Sequence, residues 1–124
     1  MTTRSKTCQC LEKIYNKYPK SPINFPRYIF ILPSMTVDEI LHSMKEAGLA
    51  FPVICKPDIA CGTPTSHNMV VVVSSSGFSL VTQPCIVQQY IDHDDNFFKV
   101  YIIGIIILIF ISLSILIFFI IFRK

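Results

Sequence analysis

The chain has 124 residues, a formal net charge of +3 and five cysteines, which limits it to one domain and excludes a dense disulfide scaffold. Its eleven Lys and Arg are scattered, so no basic patch of the kind that grips nucleic acid stands out. The odd cysteine count, with no apolar leader between Met1 and Lys20, predicts free thiols in a reducing compartment.

Leu11, Ile14, Tyr15 and Tyr18 fall three or four apart, which predicts a helix over Ser5–Tyr18 with this stripe facing the core and Pro19 ending it. Ser21–Pro26 reads as a loop and Arg27–Leu32 as a short strand stopped by Pro33. Thr36 and Glu39 form a capping-box pattern. Val37, Ile40, Leu41 and Met44 follow at helical spacing until Gly48, a natural helix stop. Phe51–Lys56 reads as a buried strand, Pro57–His67 as a loop, Met69–Val73 as a valine strand and Ser74–Gly77 as a turn. Cys85–Tyr90 reads as another strand, Asp92–Asn96 as an acidic loop, and a further strand begins at Phe97. The predicted order is α-β-α-β-β-β, then the strand from Phe97 and the tail.

Tyr101–Phe122 contains no charge and no proline. About 22 residues of helix reach roughly 33 Å, enough for a bilayer core, so the pattern predicts a membrane-spanning helix followed by Arg123 and Lys124. The lack of an earlier signal favours a tail anchor with the folded part in the cytosol, whereas the terminal Arg-Lys pair favours the opposite orientation.

Phe51-Pro-Val-Ile-Cys-Lys56-Pro leads into Cys61-Gly-Thr-Pro-Thr-Ser-His67, so a lysine ends a buried strand beside a loop rich in small and hydroxyl residues. A fixed cation next to such a loop suits phosphate groups, through point charge, hydroxyls and main-chain N–H donors. A solvated strand end is the commoner place for a lysine. Asp92, Asp94 and Asp95 form an acidic turn whose ordinary role is solvation. Cys8-x-Cys10 lacks the spacing of a zinc knuckle, and a hydrolytic pair of Cys61 and His67 lacks an orienting third residue.

The second stretch, Pro84-Cys-Ile-Val-Gln88-Gln89-Tyr90-Ile91-Asp92-His93, reaches Lys99 through Phe97 and Phe98. Together with Thr3-Arg4-Ser5-Lys6, these motifs resemble in order and separation the central part of the inositol 1,3,4-trisphosphate 5/6-kinases, also called inositol tetrakisphosphate 1-kinases. Members carry a similar Phe-Pro-x-Ile-Cys-Lys, a Gly-Thr-x-Ser-His loop and a Pro-Cys-Val-Val-Gln strand. The resemblance spans roughly Arg4 to Gly104.

It implies an α+β fold, a partial ATP-grasp domain over 1–104 with a mixed or antiparallel sheet and helices; the apolar composition adds a hydrophobic tail over 105–124, with the transmembrane-like helix at about 101–122. By position it implies ATP contacts from Arg4, Lys56, Gln88, Gln89, Tyr90, Ile91 and Lys99, with His67 and Lys99 facing the phosphates of an inositol polyphosphate. It also implies Mg2+, whose ligands in the family come from a segment C-terminal to the matching stretch, and a cytoplasmic location. The Lys56–His67 loop is one residue longer than the family pattern, and Cys61 stands where histidine is expected. The change at Gly104 to a run of Ile, Leu and Phe suggests a shortened or mis-spliced product or an erroneous gene model. The rival expectations are a tail-anchored, non-catalytic nucleotide-binding module and a fragment that does not fold stably.

Overall fold

Alternating β-branched and aromatic residues pair into strands, while the capped segments coil into helices. A computed structural model of the chain describes residues 3–20, 22, 24–94, 96–103 and 106–113, which divide into two units, Met1–Tyr90 and Ile91–Lys124. In the first unit the order is α1 (Arg4–Lys17), β1 (Tyr28–Ile31), α2 (Val37–Glu46), β2 (Val53–Pro57), β3 (Val70–Val72) and β4 (Cys85–Gln89), with 3-10 turns at Pro64–His67 and Ser75–Leu80.

The four strands form one sheet in the order β1-β4-β2-β3, antiparallel throughout. Register fixes its two faces, because directly opposed residues share a side and alternate along each strand. Ile31 lies opposite Cys85, Cys55 opposite Val87 and Val53 opposite Val72. These six are buried and pack with Ile40 and Met44 of α2, Leu49 and Phe78 as the core. The other face carries Tyr28, Gln88 and Ile54 in one row, with Lys56 opposite Ile86 in the next.

The capping box at α2 is complete. The Glu39 main-chain N–H donates to Thr36 Oγ1 at 3.3 Å, and the Thr36 N–H donates to Glu39 Oε2 at 2.7 Å. The Thr36 N–H, and next the Thr36 hydroxyl, which also donates to Glu39 Oε2 at 2.8 Å, hold the Glu39 carboxyl below its usual range. Thr36→Ala is expected to lower the stability of the first unit by ~1 kcal/mol, read as a lower urea midpoint. Gly48 follows α2 with φ +64 and its carbonyl accepts from Arg27 Nη1 at 2.8 Å; a Cβ there would lie 2.7 Å from that nitrogen.

Helix α1 exposes the stripe expected to face the core. Leu11, Ile14, Tyr15 and Tyr18 are all exposed, and within the helix only Cys8 is buried. Polar anchors set the rotation instead. Arg4, Cys8 and Glu12 recur at i+4 and so share one side of the helix, and that side meets the sheet: Tyr28 donates its hydroxyl to Glu12 Oε2 at 2.9 Å. Burial and this carboxylate push the Tyr28 phenol up to about 12. The apolar stripe lines a groove of about 580 Å³ with Asn24, Phe25, Pro26 and Gln88.

In the second unit, β5 (Asn96–Ile103) and β6 (Ile106–Leu113) form a two-stranded antiparallel pair, from Asn96 opposite Leu113 to Ile103 opposite Ile106. This overturns the expected membrane helix over Tyr101–Phe122 wherever the chain is described. Residues 101–103 and 106–113 are strand, and residues 114–122 lie outside the described ones. Hydropathy alone does not separate an apolar strand from an apolar helix, and the density of Ile, Phe, Tyr and Val favours the strand. Among the described residues no helix is long and apolar enough to cross a membrane.

Candidate functional site

Lys56 lies near the C-terminal end of β2, on the sheet face away from the core. It is half-buried, and its Nζ donates to Gln88 Oε1 at 2.6 Å. Gln88 can reach it because Ile54 lies opposite Gln88 and Lys56 lies one diagonal step away across the β2–β4 ladder. Burial, and next the nearby Arg4 guanidinium, lower the Lys56 pKa from 10.5. No ion pair of Lys56 with a carboxylate is formed among the described residues, so this ammonium has a neutral amide as its partner.

That arrangement has a pH signature. A lysine whose folded pKa is lowered loses its charge at lower pH than a free one, so affinity for an anion at Lys56 falls as pH rises toward 10.5. The stability sign is opposite. Between the folded pKa and 10.5 the unfolded chain binds more protons, so stability rises with pH across that window. Titration of inorganic pyrophosphate at stepwise alkaline pH is expected to show this decline in the native chain and not in Lys56→Met.

The loop after Lys56 is bound at both ends to the start of α1. Arg4 Nη1 donates to the carbonyls of Pro57 and Ile59, the latter at 2.8 Å, and Nη2 donates to that of Ser66 at 2.8 Å. The Arg4 main-chain N–H donates to Asp58 O at 2.8 Å, and the Ser5 N–H to Asp58 Oδ1 at 2.9 Å. Thr3 caps the helix and forms an isolated antiparallel bridge with Ile59. Ser66 is wholly buried, and its hydroxyl donates to Thr63 O at 2.7 Å. His67, next along, is exposed, as are Cys61 and Gly62. Asp58 and Ser66 are structural partners that the sequence motifs did not single out. The one signal for Ser66 was its place in the Thr-Ser-His run, and Asp58 had none.

Gln89 ends β4 and Tyr90 follows it, both with exposed side chains, and the Gln89 N–H donates to Arg27 O at 2.9 Å. Ile91 and Lys99 belong to the second unit, where Lys99 stands on β5 opposite Phe110. The structure thus brings Arg4, Lys56 and Gln88 together and carries His67 on the adjoining loop. Asp92 Oδ1 accepts the Asp94 N–H at 3.2 Å, a turn-making bond. Among the described residues no group of three or more His, Cys, Asp or Glu is placed to hold a metal ion; these residues do not form a Mg2+ cage. Cys8 is buried while Cys10 is exposed, as expected for positions two apart on a helix.

A family model described as the inositol 1,3,4-trisphosphate 5/6-kinase ATP-grasp domain matches residues 19–115. The match begins past α1 and runs beyond Gly104 through β6, so the resemblance does not end where the composition changes. Inositol-tetrakisphosphate 1-kinase 6 of Oryza sativa subsp. indica is 41% identical over 75 residues, covering 59% of this chain and 14% of the relative. Inositol-tetrakisphosphate 1-kinase of Xenopus laevis is 30% identical over 101 residues, covering 82% of this chain and 25% of the relative. The protein of the same name from Danio rerio has the same figures. The chain therefore spans a quarter or less of the length of these relatives.

Proposed function

Because the chain belongs to the inositol 1,3,4-trisphosphate 5/6-kinase ATP-grasp family, we propose that it carries a nucleotide half-site for ATP-dependent phosphoryl transfer to an inositol polyphosphate. The observation that carries this reading is Lys56. A half-buried ammonium held by a neutral amide, with a second cation nearby and no carboxylate partner among the described residues, is an arrangement awaiting an anion. In this reading Lys56 takes ATP phosphate oxygens, Gln88 and Gln89 at the end of β4, with Tyr90, meet adenine and ribose, and His67 supplies an N–H donor to the phosphates of the inositol.

A cytoplasmic location accompanies the reading, and membrane association does not. Mg2+, when bound, neutralises charge on the transferring phosphoryl group. The described residues do not supply a set of carboxylates to hold it. A second reading is a nucleotide-binding module without phosphoryl transfer, which the same Lys56–Gln88 geometry supports.

Two measurements on the whole chain test this. Titration with a fluorescent ATP analogue is expected to saturate and to be displaced by unlabelled ATP. Incubation with radiolabelled ATP, Mg2+ and inositol 1,3,4-trisphosphate then separates the readings, since labelled product supports the kinase and its absence despite saturable binding supports the module. Failure to saturate would overturn both.

A further inference from the structure

Two cysteines of the core meet across the β2–β4 ladder. Cys55 of β2 lies opposite Val87, and Cys85 of β4 lies opposite Pro57, so the two are diagonal neighbours on the core face of one ladder. Both are 1% exposed and both are free thiols. Cys55 donates its S–H toward the Cys85 sulfur, which raises the Cys55 pKa and lowers that of Cys85. Cys85 is therefore the first of the pair to ionise.

We propose that Cys55 and Cys85 form a two-coordinate site for a single soft monovalent metal ion of the Cu(I) kind. Soft thiolates select such ions. A zinc ion takes four ligands and an iron–sulfur cluster four cysteines, whereas among the described residues no third His, Cys, Asp or Glu joins this pair to complete such a set. The ladder also favours an ion over a direct bond between the sulfurs. Diagonal Cα atoms stand roughly 7–8 Å apart, beyond the about 4.4–6.8 Å that a disulfide bridges. Two metal–sulfur bonds of about 2.3 Å each keep the sulfurs roughly 4–5 Å apart, against about 2 Å in a disulfide. Coordination deprotonates both thiols, so two protons pass to solvent and no oxidation state changes.

A way in is present. Cys55 and Cys85 line a cavity of about 210 Å³ together with Asn68, Val70, Leu80 and Thr82. Asn68, Leu80 and Thr82 are exposed while both sulfurs are shielded, so an ion enters from solvent and ends in an apolar setting that suits soft ligands. Cys55 and Lys56 are consecutive in β2 and so point to opposite faces of the sheet. The metal site and the anion site therefore use different sides of the same strand, and neither reading depends on the other.

The test titrates Cu(I), buffered by a colorimetric chelator without oxygen, into the native chain, Cys55→Ala, Cys85→Ala and the double variant Cys10→Ser/Cys61→Ser, which removes two exposed thiols. One ion per native chain is expected, bound at least about 100-fold more weakly by each core variant and within about threefold of native by the double variant. Either alanine leaves a gap in the core, so the native chain is also read directly. X-ray absorption is expected to show two sulfur neighbours around the ion, and the Cys55 and Cys85 Cβ resonances are expected to shift on loading while those of Cys10 and Cys61 stay. The site is overturned by no stoichiometric uptake, by unchanged affinity in both core variants, or by a tenfold or larger loss in the double variant. Unmoved Cys55 and Cys85 resonances in the loaded native chain overturn it even where the core variants fail to fold.

Discussion

Lys56→Ala is expected to weaken ATP binding by about 10- to 100-fold, the equivalent of ~1.5–3 kcal/mol for a charge-assisted hydrogen bond to phosphate. The loss is not a folding defect. Holding a charged lysine half-buried opposes folding, as the lowered pKa indicates, so removing the ammonium leaves the melting temperature unchanged or raises it. Lys56→Gln, which keeps much of the stem and can still hydrogen-bond, isolates the charge and is expected to lose nearly as much affinity. Calorimetric titration with ATP alongside thermal melting reads both quantities. ATP affinity within about twofold of the native chain in both variants would remove Lys56 from the site.

Phe78→Ala is expected to destabilise the first unit by ~3–5 kcal/mol, a large part of the ~5–15 kcal/mol that holds a typical domain together. Phe78 is 4% exposed, sits in the 3-10 turn after β3 and joins the core residues of α2 and the sheet. Its ring lies 6.0 Å from that of Phe51, centroid to centroid. Urea unfolding followed by circular dichroism gives the number, and a change below about 1 kcal/mol would show that the pocket collapses around the loss.

Much of the first unit is legible from local signals. Thr36 and Glu39 mark the start of α2 and Gly48 its end, and the valine and isoleucine runs mark β2, β3 and β4. The rotation of α1 is not legible. Periodicity assigns Leu11, Ile14, Tyr15 and Tyr18 to the core, but hydrogen bonds that Arg4 and Ser5 donate, and that Glu12 accepts, with partners distant in sequence turn the helix the other way. The same limit applies to the site. Lys56 is visible at the end of an apolar run, whereas its tie to Gln88 depends on strand order, which hydrophobic pattern does not encode. In the second unit, pattern reading fails through length. An uninterrupted apolar stretch satisfies the rule for a membrane helix and the rule for adjoining strands equally well, and residues 106–113 follow the second.

The strand order also governs how the first unit is assembled during synthesis. β4 is its last strand to be made, yet it occupies the place between β1 and β2. A nascent chain that has emerged only as far as β3 has no template joining β1 to the β2–β3 pair, so both leave main-chain donors and acceptors unsatisfied. Sheet closure waits until Cys85–Gln89 clears the ribosome exit, which leaves two sticky edges exposed meanwhile. Slowing translation just before Cys85 is therefore expected to raise aggregation, and slowing it well after Gln89 has emerged is expected to lower it.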